Sequence, residues 1–306
     1  MIRRTFTRRN LVAGLLSMAC CAPLAAQETA EQPAADRMST AEWLKSGQLD
    51  LVLRNYADYL EIGDGQDRHA WVQGMQAHYQ SPFADGPIGL GFDMSPYAAV
   101  KLDGGRGARN MVHVDLNGSG ADCTAWAYCG GYTIKAKVAS VLVKHGLQSI
   151  SNPFLDPYDI RALPPSFKGT SAMASPAAGL KLSAGSFNAL IPRGSTFLQP
   201  LATTYGGIPF SRLSYAGVEW QYDKDGKVLV YISRANDVWT QHFVALTRSA
   251  GELASVRWTA DVHGYSTRDQ GARLQGVIDN KAYSLALTGA HGASSLMMGY
   301  QRVLSR

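Results

Sequence analysis

Hydrophobic and polar residues alternate along most of the chain with a period of two. In one segment, Val256, Trp258 and Val262 alternate with the polar residues Arg257 and Asp261. Successive side chains of a β-strand point to opposite faces, whereas a helix repeats every 3.6 residues. No segment has a convincing helical period, so the pattern predicts an all-β fold of about eleven antiparallel strands. The predicted strands are residues 48–56, 70–80, 86–103, 130–144, 179–191, 211–223, 226–235, 238–249, 254–266, 280–291 and 293–304.

The predicted connections differ in length. Asp223–Gly226 and Ala235–Asp237 are tight, whereas residues 104–130 and 145–178 are long. Short turns at one end and long loops at the other are typical of a transmembrane antiparallel β-barrel of the outer membrane. The apolar face of such a barrel meets lipid, whereas a soluble β-sandwich buries it. Aromatic residues near strand ends, small residues on the apolar faces and charges of both signs on the polar faces favour the barrel.

The N-terminus predicts export from the cytoplasm. Four arginines within the first nine residues precede the short apolar stretch Leu11–Cys20, and small residues follow it. This pattern is typical of a secretory signal peptide, here residues 1–26. A polar lead, residues 27–47, and the barrel, residues 48–306, then follow. We therefore expect a mature protein in the outer membrane of a Gram-negative bacterium.

Removal of the signal peptide changes the charge balance. The full chain has a formal net charge of +5, but four of its 29 basic residues leave with the signal, so 25 remain against 24 acidic residues. A nearly neutral chain gives no reason to expect a nucleic-acid partner. Charged residues make up 17% of the chain, below the roughly 25% of soluble domains. This low fraction fits a wall that turns half of its residues to lipid.

Two cysteines, Cys123 and Cys129, remain in the mature chain. In an oxidising periplasm this pair predicts a local disulfide, and two free thiols are the alternative. No further ligands are spaced for a metal site, and no cofactor is expected. His78, His263 and His291 lie on separate predicted strands, and no strand–turn–helix context for a catalytic serine is present. The sequence therefore predicts no enzyme.

Three ordered parts of the chain resemble the OprD family of outer-membrane porins. The first comprises Leu49–Tyr56, which contains LRNY, and Gln66–Gly105, which ends in KLDGG. The second, Ile160–Gly169, resembles the start of the family's inward-folded constriction loop. The third, Gly264–Val303, resembles the family's late-middle strands and contains the order IDN, then GYQRV. The match is collinear and covers nearly all of the mature chain.

The resemblance implies a barrel of about 18 strands, monomeric or loosely trimeric, surrounded by lipid and lipopolysaccharide and inserted by the barrel-assembly machinery. It implies passive diffusion of small, carboxylate-bearing anions past a ladder of Arg and Lys, narrowed by a constriction loop around residues 150–176. A non-conducting β-barrel or a β-sandwich that serves as a binding or structural module is the alternative. With about eleven predicted strands, we expect either a fragment truncated at its C-terminus or a smaller barrel.

Alternation and the resemblance together select the candidate site residues. The candidates for lining the pore and guiding the solute are Arg68, Lys135, Lys137, Lys181 and Arg257. The alternative role for such cations is an ion pair inside the lumen with an acid such as Asp93, Glu219 or Asp261. The candidates in the constriction loop are Arg161, Pro164 and Gly169. Arg161 either meets the solute or anchors the loop to the wall.

Overall fold

The structure is a computed structural model that describes residues 39–61, 68–102, 125–155, 159–253 and 255–305. Within these ranges it contains one short helix and 15 strands, and no helix long and apolar enough to cross a membrane. In chain order the elements are α1 (Thr40–Lys45), β1 (Gln48–Leu60), β2 (Arg68–Gln80), β3 (Gly89–Lys101), β4 (Ala125–Val138), β5 (Val141–Gln148), β6 (Ser166–Ala177), β7 (Leu180–Ile191), β8 (Gln199–Ala202), β9 (Pro209–Phe210), β10 (Leu213–Asp223), β11 (Gly226–Ala235), β12 (Trp239–Leu253), β13 (Val256–Asp269), β14 (Asp279–His291) and β15 (Ser294–Ser305).

The strands form one antiparallel meander. Strands β1 to β7 pair in chain order, β7 pairs with β10, and β10 to β15 again pair in chain order. The short strands β8 and β9 form a small ladder beside β7. β1 and β15 are the edges of the described sheet. This architecture confirms the predicted all-β, antiparallel fold.

The strand register assigns side chains to two faces. Arg54 of β1 pairs with Gly74 of β2, and Gln76 of β2 pairs with Tyr97 of β3. These positions share one face, which we name the inner face. The alternate positions form the outer face, where large apolar side chains are exposed. Examples on the outer face are Leu51, Leu53, Ile134, Leu285 and Leu296.

Two predicted segments differ from the structure. Residues 130–144 were predicted as one strand, but a turn at Ala139, with φ of 49°, separates β4 from β5. Residues 166–176 were predicted as part of the constriction loop, but they form most of β6. The second prediction was wrong because β6, with the sequence SFKGTSAMASPA, carries small residues on both faces and lacks an alternating apolar signal.

Connection length differs between the two ends of the sheet. Two-residue turns at one end are residues 139–140, 178–179, 224–225 and 292–293. Long connections at the other end are residues 149–165, 192–212 and 270–278. Two connections depart from this division: residues 236–238 are short but lie at the end with the long connections, and residues 81–88 are longer but lie at the end with the two-residue turns. In outer-membrane barrels the short turns face the periplasm.

The end of the predicted polar lead contains a helix that periodicity did not predict. Ser39 caps α1: its Oγ accepts from the backbone N–H of Glu42 at 3.2 Å, and its own N–H donates to the Glu42 carboxylate at 2.9 Å. This capping box lowers the pKa of the Glu42 carboxyl, chiefly through the backbone hydrogen bond from Ser39. The Tyr79 hydroxyl donates to the Leu44 carbonyl at 2.7 Å, which holds α1 against β2. Residues 1–38, with the predicted signal peptide, lie outside the described residues.

Candidate functional site

The described parts of the connection between β5 and β6, residues 149–155 and 159–165, pack on the inner face at two separate places. Leu155 is buried in an apolar cluster to which β6, β12 and strands between them contribute residues. Ala162 and Leu163 are buried in a second apolar cluster, contributed by β2 and β3. Because apolar burial is the main stabilising force available to an irregular segment, this connection is held over the inner face instead of projecting away from it.

Residues 159–165, which we name the clamped limb, are fixed to β1 by polar contacts. Both terminal nitrogens of Arg54 contact the Asp159 carboxylate, with Nη2 at 2.8 Å from Oδ2. Arg54 Nη1 also donates to the carbonyl of Arg161 at 2.8 Å. In turn, Arg161 Nη1 donates to the Tyr56 hydroxyl at 2.8 Å. Two-pronged Arg–carboxylate contacts fix geometry as well as adding energy, so they set the position of this limb.

A glycine allows the clamped limb to approach β2. A Cβ added to Gly74 would lie 2.5 Å from the carbonyl oxygen of Ala162. That separation is shorter than any normal contact between carbon and oxygen, and the obstructing atom belongs to the backbone. The close packing of this limb therefore depends on the absence of a side chain at Gly74.

Residues 149–155, which we name the open limb, are shaped by a local turn. Asn152 Oδ1 accepts from the backbone N–H groups of Phe154 and Leu155, both at 2.9 Å. This side chain therefore replaces the backbone partners that the irregular segment lacks. The Nδ2 atom of Asn152 is buried and lies near the Tyr215 hydroxyl, but it makes no hydrogen bond of standard geometry with the described residues.

Two cavities lie beside the open limb on the inner face. The first, which we name the loop cavity, has a volume of about 190 Å³ and is lined in part by Lys144, Lys181 and Glu219. The second, the wall cavity, has a volume of about 260 Å³ and is lined in part by His78, Asp93 and Lys144. Lys144 lines both cavities, so it stands at the boundary between them.

Asp93 holds two lysines on the inner face. Lys135 Nζ lies 2.7 Å from Oδ1 of Asp93, and Lys144 Nζ lies 2.7 Å from Oδ2. Thr133 adds a hydrogen bond from its hydroxyl at 3.2 Å. One carboxylate thus orders two cations, and the group keeps one net positive charge.

Glu219 forms a similar group with two further lysines. Lys227 Nζ lies 3.1 Å from Oε2 of Glu219, and Lys181 Nζ lies 3.7 Å from Oε1. The Tyr231 hydroxyl donates to Glu219 Oε1 at 2.7 Å. Both groups lie in the half of the inner face that is nearer the two-residue turns. Together they give that half of the inner face a positive potential.

The family model for the outer membrane porins of the OprD family matches residues 41–305. The chain belongs to the OprD family. This membership confirms the predicted family, the predicted barrel class and the assignment to a family of outer-membrane proteins.

Individual OprD relatives are longer than this chain. Porin D of Pseudomonas aeruginosa is 25% identical over 270 residues, which cover 88% of this chain and 61% of that protein. The crystal structure of OpdK from the same species, determined with vanillate, matches with a TM-score of 0.77 at 25% identity and covers 85% of this chain and 68% of OpdK. OccD3, also from that species, matches with a TM-score of 0.74 at 29% identity and covers 86% and 59%.

The predicted pore-lining cations are distributed over the inner face of this OprD-family sheet. Lys135 is only 5% exposed and lies over the Phe83 ring, 4.9 Å from its centroid. Lys137 lies over the same ring at 5.8 Å. Arg257 is exposed and pairs in register with Ala290 of β14, away from these lysines. Arg68 is the first residue of β2, and its side chain lies outside the described residues.

The predicted constriction residues separate in the structure. Arg161 and Pro164 lie in the clamped limb, where Pro164 is buried. Gly169 lies in β6, where it pairs with Gly146 and Phe187, so its assignment to the loop was wrong. The prediction extended the constriction loop too far toward the C-terminus, because the sequence of β6 has no alternating apolar signal that marks where the strand begins.

The predicted disulfide keeps the status of a prediction. Cys129 lies in β4 and pairs with Pro96, beside a shift in register. Cys123 lies outside the described residues. Within the described ranges, no group of three or more His, Cys, Asp or Glu side chains is placed to hold a metal ion.

The sequence did not select three residues that hold or line this site, although Arg54 was noted as part of the LRNY match. Lys144 alternates with Val143 and His145, a signal that was hidden because β4 and β5 were predicted as one strand. Asn152 precedes a proline, and this dipeptide favours a turn. The contact of Arg54 with its acid spans 105 residues, and no local pattern indicates it.

Proposed function

We propose that this chain forms the wall and the constriction of a passive channel for small, carboxylate-bearing solutes. The observation that carries the proposal is the packing of residues 149–155 and 159–165 on the inner face, beside cavities lined by lysines. A fixed segment narrows the path, and cations along it raise the local concentration of an anion. Several weak sites in series also let the anion leave.

The candidate cations have different parts in this proposal. Lys137, Lys181 and Arg257 guide the solute directly, and Arg68 does so at the start of β2. Lys135 is buried against Asp93 and acts indirectly, because it holds that carboxylate in place beside Lys144. The relative OpdK, determined with vanillate, supports a carboxylate as the solute.

Liposome swelling tests the proposal. The protein is reconstituted into liposomes, and the uptake of vanillate is compared with that of vanillyl alcohol, which has the same ring but no carboxylate. We expect vanillate to enter faster, because the lysine groups attract its charge, and we expect the difference to shrink at high salt. Equal rates for the two solutes, or no uptake above that of protein-free liposomes, would contradict the proposal.

A further inference from the structure

The loop cavity has the size of a small ring compound. It lies between the open limb and the inner face of β5, β6, β7, β10 and β11, and its volume is about 190 Å³. A cavity of about 150 Å³ in another protein holds benzene. One ring with a few substituents therefore fits the loop cavity.

The charges that line the loop cavity favour an anion. Lys144 and Lys181 contribute two positive charges, and Glu219 contributes one negative charge. Each lysine is held by an acid that also binds a second lysine outside the cavity: Asp93 binds Lys135, and Glu219 binds Lys227. The cavity therefore has a net charge of +1, with its cations held near fixed positions.

The neutral lining adds a donor and an apolar wall. The Nδ2 atom of Asn152 is buried near the Tyr215 hydroxyl, which also lines the cavity, but it makes no hydrogen bond of standard geometry with the described residues. A buried donor without such a bond is costly unless a ligand or a water accepts from it. The hydroxyl of Ser171 is already used, since it donates to Gln148 Oε1 at 2.7 Å. Ile150 and Met173 contribute apolar surface. The donor suits a carboxylate oxygen, and the apolar surface suits the body of a ring.

We propose that the loop cavity is a binding subsite for the carboxylate of a solute about one ring in size, contacted by Lys144, Lys181 and Asn152 Nδ2. The inference rests on the proposed function, to which it adds a defined stopping point under the constriction. Two probe compounds each carry one carboxylate on a single ring. Benzoate supplies an aromatic ring and glucuronate a hydroxylated one.

A matched pair of lysines tests the subsite. Lys181 and Lys227 both pair with Glu219 and are similarly exposed, 48% and 44%, but only Lys181 lines the loop cavity. Dissociation constants of benzoate and glucuronate are measured by titration calorimetry on the purified full chain at low salt. We expect Lys181→Met to weaken the binding of at least one probe about fivefold, and Lys227→Met to change it less than about twofold. Equal weakening by both variants would show a general charge effect and would overturn the subsite.

A second variant keeps the turn of the open limb intact. Asn152→Asp retains an oxygen that accepts from Phe154 and Leu155 but places a negative charge where the Nδ2 donor was. We expect at least tenfold weaker binding of the probe that binds the natural chain. Asn280→Asp, which adds the same charge to the inner face outside the loop cavity, is the control. Unchanged binding in Asn152→Asp would overturn the proposal.

The subsite and the channel fail in different ways. If vanillate enters liposomes faster than vanillyl alcohol while the variants of Lys181 and Asn152 bind as their controls do, the channel stands and the subsite is wrong. If those variants lose binding but the natural chain admits no solute, the subsite stands and the channel proposal is wrong. Calorimetry and swelling therefore test the two proposals separately.

Discussion

The two limbs of the inward segment are packed in opposite ways. The clamped limb, residues 159–165, is held by Arg54 and Tyr56 and lies against the bare backbone of Gly74. The open limb, residues 149–155, is shaped by its own Asn152 turn and leaves a cavity of about 190 Å³ beneath it. The clamped limb packs closely on the wall and has charged contacts with it, whereas the open limb lies over a cavity.

In the proposed channel, this difference would let the constriction be both fixed and permeable. A segment held equally along its whole length would leave no space for a solute, and an unheld segment would not define the width of the path. Polar contacts and close backbone packing at one limb fix the segment, so the other limb can stand off the wall. The variants below weaken each limb in turn, and the expected loss of stability falls from the first to the last.

Filling the space under the clamped limb should have the largest effect. Gly74→Val adds atoms that collide with the Ala162 carbonyl, and we expect the free energy of unfolding to fall by about 1–3 kcal/mol. Denaturant titration in micelles, followed by tryptophan fluorescence, measures this change. Gly264→Val is the control, because a Cβ at Gly264 would meet no atom within 4 Å. Equal losses in the two variants would show that Gly74 has no special packing role.

Removal of the Arg54 clamp should have the next largest effect. Arg54→Met loses the contacts with Asp159 and with the Arg161 carbonyl, and since both charged side chains are partly exposed we expect a loss of about 1–2 kcal/mol. Trypsin should also cleave faster after Arg161. The control is Arg268→Met, because Arg268 is 68% exposed and lies 3.7 Å from Asp279. A cleavage rate unchanged from that of the natural chain would contradict the clamp.

The tyrosine that supports Arg161 should matter less. Tyr56→Phe removes only the hydroxyl that accepts from Arg161 Nη1, so we expect a loss of about 0.5–1 kcal/mol and a smaller rise in cleavage after Arg161. Tyr283→Phe serves as the control, because Tyr283 lies on the outer face and is 41% exposed. If the two variants were cleaved at the same rate, the hydrogen bond from Arg161 would have no part in holding the limb.

The faces of the strands were predictable because lipid and lumen impose opposite polarity on alternate residues. Val262 and Asp261, for example, lie on the faces that alternation predicts. β6 was missed because its small residues suit either face. α1 was missed because six residues are too few to show a period, although Ser39 and Glu42 form a capping box that the sequence displays.

The site was less predictable than the fold because its contacts join distant strands. Alternation placed Lys135 and Lys181 on the inner face, and the acids named as their alternative partners, Asp93 and Glu219, are the ones that they contact. Which acid contacts which lysine depends on the register of neighbouring strands, and the local sequence does not determine that register. The same holds for the clamp, where Arg54 meets an acid 105 residues away.

A change in the open limb should leave the clamped limb untouched. Ser149 is exposed and lines both cavities, so we expect Ser149→Ala to change the free energy of unfolding by less than about 0.5 kcal/mol. Cleavage by trypsin after Arg161 should stay at the rate of the natural chain, because Arg54 and Tyr56 hold that bond independently of the open limb. Denaturant titration and timed proteolysis of the same samples check both expectations. Faster cleavage after Arg161 in this variant would mean that the two limbs move as one unit. The inference that the clamped limb is held independently of the open limb would then be wrong.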